Sequence, residues 1–344
     1  MNNILKTIQE QIKIRTKYGF EFIGDIDNIK TGFTERKLVF NERYHKLYFY
    51  PSKAEKPEPI LLIYSLINKP YIFDLAKGRS LIEYLCDNGF DVYLLDWGQP
   101  TNEAAFLTLE EMIFGTMHRA VKYVNRKYNK KVNLLGYCMG STFATIYVGK
   151  HHNLINSLVL LTPALGKDEG GTLQKIASFI DWNRKTDSSG IISGRFLKLF
   201  FNSVKPSAMI KKERDFWKNH DKEEYLNHFL PVEKWSNDTP DIPGKVFTEF
   251  LELCFTQDLL KSKNDINIGS TTINFSDVKL PVFSVSAKHD WIIPSTSVET
   301  VKEILPNSIH ESFIIQGGHI GLVIGKTAPI LWEKVRDFYN NFIK

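Results

Sequence analysis

The chain has 344 residues, 43% of them hydrophobic and 24% charged, enough to bury a sizeable core in one large domain or in a core carrying an insertion. A net charge of +5 without any basic block argues against a nucleic-acid surface. The three cysteines, Cys86, Cys138 and Cys254, lack metal-ligand spacing and fit a reducing interior. No apolar run is long enough to span a bilayer, and the first residues lack the order of a signal peptide, so a cytoplasmic protein is expected.

In chain order, Ile4, Leu5, Ile8 and Ile12 predict an amphipathic helix over 1–18. Alternation over 37–50 predicts paired strands, and the runs 60–64 and 91–95 read as buried strands with a helix over 80–88 between them. A long helix is expected over 107–128. Residues 131–150 then read as strand, tight turn and helix, and 158–161 as a further strand. Strands alternating with helices at this spacing predict a parallel sheet wound on both faces. From 167 to 261 the periodicity becomes helical, over 179–182, 196–201, 209–217, 225–229 and 246–260, with no clear sheet strand. A cap over a site is one reading of that insertion, and a separate helical domain is the other. Sheet pattern resumes at 281–286, followed by a helix over 295–304, a last strand at 312–315 and a closing helix over 327–342. The expected segments are thus 1–57 (helix and paired strands), 58–166 (first part of the core), 167–279 (mainly helical cap) and 280–344 (last part of the core).

Gly136-Tyr137-Cys138-Met139-Gly140 has the Gly-x-nucleophile-x-Gly pattern of the α/β-hydrolase elbow, with sulfur where oxygen is usual. Small residues are needed there because the nucleophile sits on a strained bend against a neighbouring strand and helix. The helix N-terminus favours a thiolate, and the Met139 N–H is placed for an oxyanion. On this motif alone a buried structural cysteine is an equal alternative. Asp290 and His319 each follow a late strand, so parallel strands bring them to the sheet edge where Cys138 emerges. The order nucleophile, acid, histidine is that of the α/β-hydrolase triad. In such a triad His319 takes the Cys138 proton and Asp290 orients the imidazole. A cysteine acyl-enzyme is a thioester, so it stays activated for a second acceptor; that suits acyl transfer, with hydrolysis as the alternative.

The sequence resembles the catalytic subunit of the polyhydroxyalkanoate synthases, especially the short class III and class IV enzymes. The resemblance runs from about Pro59 to the C-terminus. It is carried by Leu66-Ile67-Asn68-Lys69-Pro70-Tyr71-Ile72-Phe73-Asp74-Leu75, by Asp91-Val92-Tyr93-Leu94-Leu95-Asp96-Trp97-Gly98 and by the elbow. Glu233-Lys234-Trp235, Asn237-Asp238-Thr239-Pro240-Asp241 and Gly318-His319-Ile320-Gly321 complete it. It implies an α/β-hydrolase fold and polymerisation of 3-hydroxyacyl groups, short ones such as 3-hydroxybutyryl, supplied as coenzyme A thioesters. Coenzyme A would then be part of the substrate, with no cofactor or metal. The implied nucleophile is Cys138, the acid Asp290 and the base His319, with oxyanion donors at the Met139 amide and at Leu66. Implied partners are a second synthase subunit, the surface of a growing polyester granule and a second copy in a homodimer. Two positions depart from the family pattern: Ser141 replaces a further elbow glycine, and Trp291 rather than histidine follows Asp290. Cys86 and Cys254 are expected to be packing residues, His151-His152 a surface helix end, and Trp97 and Trp235 core anchors or substrate contacts.

Overall fold

The computed structural model describes residues 29–166, 180–204, 206–262 and 264–342. The helix expected over 1–18 lies outside the described residues. Eight strands form the central sheet: β1 (Lys37–Glu42), β2 (His45–Tyr50), β3 (Glu58–Ile63), β4 (Phe90–Asp96), β5 (Val132–Tyr137), β6 (Ile155–Leu161), β7 (Pro281–Ala287) and β8 (Ile309–Ile315). Their order across the sheet is β1-β2-β4-β3-β5-β6-β7-β8. β1 and β2 form an antiparallel hairpin, β2 is antiparallel to β4, and all later pairings are parallel. β3 and β6 carry continuous apolar runs, Ile60–Ile63 and Leu158–Leu161, buried on both faces, as parallel strands covered by helices must be. β8 lies at the edge and has His310, Glu311 and Ser312 in a row, so only its last part reads as a strand in the sequence.

The helices are α1 (Leu81–Asp87), α2 (His118–Tyr128), α3 (Met139–His151), α4 (Gly194–Val204), α5 (Pro206–Asn219), α6 (Glu223–Asn237), α7 (Gly244–Leu251), α8 (Ser297–Ile304), α9 (Gly321–Ile324) and α10 (Ala328–Phe342). α1 starts on a side-chain cap, with Ser80 accepting from the Glu83 amide at 2.9 Å. The helix expected over 107–128 begins beyond Leu107 and opens with a π-helical stretch, Glu111–Met117, ahead of α2. α3 is buried from Met139 to Gly149, as expected of a helix apolar on all sides.

The chain leaves the sheet after β6 and returns at β7, and the excursion carries α4 to α7. Contrary to the helix-only reading of 167–261, Ile191–Ile192 pairs with Ile242–Pro243 in a short antiparallel ribbon. A second ribbon pairs Ile266–Ile268 with Thr271–Ile273, and neither joins the central sheet. The helical turn expected at 179–182 is also displaced: Phe179 lies outside the described residues, and Trp182 precedes a short 3-10 turn at Asn183–Lys185.

The strand order reverses direction beside β3. Strand β4 lies on one side of it and β5 on the other, so the loops leaving β3 and β5 diverge and open a crevice at their carboxyl ends. The elbow sits in that crevice under close packing: a Cβ on Gly140 would stand 2.0 Å from the Ile63 carbonyl oxygen, and one on Gly136 2.5 Å from the Ser141 Cα. Gly140→Ala should therefore lower stability by about 1–3 kcal/mol, seen as an earlier urea midpoint. An unchanged midpoint would contradict this packing.

Candidate active site

Cys138 joins β5 to α3 with φ 55° and ψ −121°, a backbone conformation that side-chain-bearing residues rarely adopt. Two hydrogen bonds hold the bend: the Cys138 amide donates to the Leu161 carbonyl at 2.9 Å, and the Ser141 amide to the Cys138 carbonyl at 2.9 Å. The sulfur is consequently projected into the crevice, and the residue is 9% exposed.

His319, at the turn after β8, is 8% exposed, and its Nδ1 lies 2.7 Å from Asp290 Oδ2. The Asp290 side chain is fully buried. Its other oxygen accepts from the amides of Ile292 at 2.8 Å and Ile293 at 3.0 Å, which fixes the carboxylate. The Tyr137 hydroxyl donates to the His319 carbonyl at 3.1 Å, tying His319 to the residue before Cys138. The Cys138 side chain also interacts with His319. Burial by itself would push the imidazole down, but the Asp290 carboxylate and then the Cys138 sulfur outweigh it and hold His319 up at about 10. At neutral pH the ring is therefore an imidazolium.

Of the proposed oxyanion donors, Met139 is the first residue of α3 and Leu66 lies in the loop leaving β3. Among the described residues neither amide donates a hydrogen bond, whereas the neighbouring Ile67 amide is taken by Ser65 Oγ at 3.1 Å. The Leu66 side chain is turned away, into a small pocket beside Tyr44, His45 and Trp97.

Cys138 and His319 open into a cavity of about 240 Å³. Its walls are mostly apolar and rich in aromatic rings, with Trp182, Phe200, Phe247, Phe250 and Phe255 coming from the excursion between β6 and β7 and Trp291 from the loop that carries Asp290. The C-terminal end of α6 is bound to the loop after β3: Asn68 Nδ2 donates to the Trp235 carbonyl at 3.0 Å, Trp235 Nε1 to the Lys69 carbonyl at 2.7 Å, and Lys69 pairs with Asp238 at 2.8 Å. Two of the motif stretches singled out in the sequence, at 66–75 and 233–241, thus meet across the cavity. The aromatic content of 167–261 is legible in the sequence, and Trp235 is named there, but which Phe and Trp face the cavity is not, because helical spacing reads the same for a core face and a cavity face.

Of the remaining residues singled out in the sequence, Trp97, Trp235, Cys86, Cys254, His151 and His152, only Trp235 lines the cavity. Trp97 is buried, donating to the Tyr64 carbonyl at 2.8 Å, while Trp235 lines the cavity. Cys86 and Cys254 are buried; burial pushes the Cys86 thiol up to about 12 and the Cys254 thiol well above its ordinary value. His151 is half-buried rather than at a free surface, stacked on His118 with ring centroids 4.3 Å apart. Burial, then His118, lowers it to about 4. Among the described residues no group of three or more His, Cys, Asp or Glu side chains could hold a metal ion.

A family model described as alpha/beta hydrolase fold matches residues 58–325. Solved structures agree on the fold: a carboxyl esterase from Bacillus coagulans superposes with a TM-score of 0.57 at 12% identity, covering 90% of this chain and 98% of that one. An esterase from Thermogutta terrifontis does so at 0.54 and 15%, covering 90% and 100%. The poly(3-hydroxyalkanoate) polymerase subunit PhaC of Synechocystis is 32% identical over 312 residues, 87% of this chain and 82% of its own length. That of Allochromatium vinosum is 30% identical over 335 residues, 94% and 93% of the two chains. The chain belongs to the poly(3-hydroxyalkanoate) polymerase family.

Within this acyltransferase family the two departures have structural accounts. Ser141 is fully buried and its hydroxyl donates to the Leu161 carbonyl at 3.0 Å, the same oxygen that accepts the Cys138 amide. The added side chain thus fastens the elbow to the end of β6. Trp291 adds an aromatic face to the cavity.

A histidine raised from 6.5 to about 10 stabilises the fold fully below 6.5, and that contribution is lost as pH rises through about 10. Asp290→Asn keeps an acceptor for the Ile292 and Ile293 amides but removes the charge. In that variant the His319 resonance followed by NMR should titrate several units lower, and the stability deficit should be largest below pH 6.5. An unaltered His319 titration would contradict the assignment of Asp290 as its counter-charge.

Proposed function

We propose that this polymerase family member links 3-hydroxyacyl groups, short ones such as 3-hydroxybutyryl, into polyester, with coenzyme A thioesters as donors and Cys138 as the acyl carrier. The observation that carries this reading is the placing of Cys138 and an Asp290-held His319 at the wall of one aromatic cavity.

The charge state sets the sequence of steps. The Cys138 thiolate attacks the thioester carbonyl, and the amides of Met139 and Leu66 receive the developing oxyanion. Collapse expels the coenzyme A sulfur, which takes the His319 proton, leaving an acyl-enzyme and a neutral imidazole. Acylation also removes the negative charge from the Cys138 sulfur, and with it part of what held His319 protonated. The ring is then a base. It accepts the proton of an incoming 3-hydroxyl as that oxygen attacks the acyl-enzyme, an ester forms, and the departing Cys138 thiolate restores the original ion pair. The cavity lining restricts water, the competing acceptor.

The relatives named above are described as polymerase subunits, and on that ground we assign this chain a second subunit, with the growing granule as its working surface and a second copy of itself as a further partner. Its place of work is the cytoplasm. Among the described residues no helix is long and apolar enough to cross a membrane. Coenzyme A enters as substrate, and the reaction as written uses no resident cofactor.

Purified protein given 3-hydroxybutyryl-CoA should release free coenzyme A together with insoluble polyester. Cys138→Ala should lower that release by about four orders of magnitude or more. Release of monomeric 3-hydroxybutyrate without polymer would identify a thioesterase and contradict the proposal.

A further inference from the structure

Lys198 of α4 is the one lysine or arginine among the described residues that line the active-site cavity, and it is half-buried in a mostly apolar lining. Its ammonium donates to Asn237 Oδ1. Asn237 can offer only that oxygen, because its amide nitrogen donates to the Glu233 carbonyl at 2.8 Å and to Glu233 Oε1 at 3.1 Å. Glu233 is 3% exposed and is paired with Lys212 at 2.8 Å. The carboxylate is therefore used two side chains away from the cavity. What reaches Lys198 is a neutral amide, held in one orientation. Among the described residues no carboxylate lies within ion-pair distance of Lys198.

An ammonium at an apolar wall with only an amide partner keeps two donors and an uncompensated charge, which makes it a receptor for an anion. The acyl-CoA donor, on the reading given above, presents neutral groups along its acyl and pantetheine parts. Its negative charge is confined to phosphates at the far end. We propose that Lys198 recognises a phosphate of the coenzyme A moiety, and that the Lys212, Glu233, Asn237 relay positions it. A lysine suits this role as a mobile point charge that releases coenzyme A after each transfer.

The test compares kcat/KM for three donors carrying one acyl group: 3-hydroxybutyryl-CoA, its dephospho-CoA counterpart and its N-acetylcysteamine thioester, which has no phosphate. Lys198→Gln should lower kcat/KM on the CoA thioester by about tenfold or more, chiefly through KM, and Lys198→Arg should recover most of it. The loss on the N-acetylcysteamine thioester should be at least tenfold smaller. That donor also reports whether the variant folds. A loss that persists with the dephospho-CoA thioester assigns the contact to the diphosphate, and one that disappears assigns it to the 3′-phosphate; both support the inference. An equal loss on all three donors, or a fall in kcat alone, would overturn it while leaving the polymerase reading intact. Wild-type protein that turns over none of the three would overturn that reading and this inference together.

Discussion

The structure depends on a bend that the backbone would not adopt unaided. Cys138 holds φ 55° because β5 and α3 are packed so closely that only glycine fits at Gly136 and Gly140, and because the ends of β5 and β6 are hydrogen-bonded across it. The strain is local, and the buried parallel sheet on either side maintains it. Its consequence is that a sulfur atom stands clear of its own strand, at the start of a helix and at the crevice where the sheet reverses order.

Around that sulfur, electrostatics rather than proximity alone sets the chemistry. His319 is buried, which disfavours its charge, yet Asp290 and the sulfur itself more than compensate. An imidazolium held this way is suited to a thiolate partner and would be poorly suited to a serine hydroxyl, which needs a neutral base beside it. The other two thiols illustrate the contrast: both are pushed up by burial, neither lines the cavity, and Cys254 is fully buried. The segments between β6 and β7 add aromatic side chains to the cavity wall, tied to the core through Asn68, Lys69 and Trp235.

Much of the fold was legible in the sequence because buried parallel strands are continuous apolar runs, as in 60–63 and 158–161, and because helices alternate with them. The edge strand β8 was read short since His310, Glu311 and Ser312 interrupt its apolar character. The ribbon between Ile191–Ile192 and Ile242–Pro243 was missed because two-residue pairings far apart in sequence leave no periodic trace. At the site, chain order alone put Cys138, Asp290 and His319 on one sheet edge. The fixing of Asp290 by Ile292 and Ile293, and of His319 by Tyr137, is carried by backbone groups that no motif records. His151 was misplaced for a related reason: its stacking partner, His118, lies on a different helix. Ser141, legible only as a departure from a glycine, takes on meaning once the Leu161 carbonyl is seen beside it.

The account's central claim is that acyl groups pass through the Cys138 sulfur. Brief incubation with 3-hydroxybutyryl-CoA, acid quenching and peptide mass spectrometry test it directly. A hydroxybutyryl adduct on the peptide that carries Cys138, cleaved by neutral hydroxylamine and absent from Cys138→Ala, is the predicted result. Turnover with that peptide unmodified, or an adduct on a different residue, would contradict it.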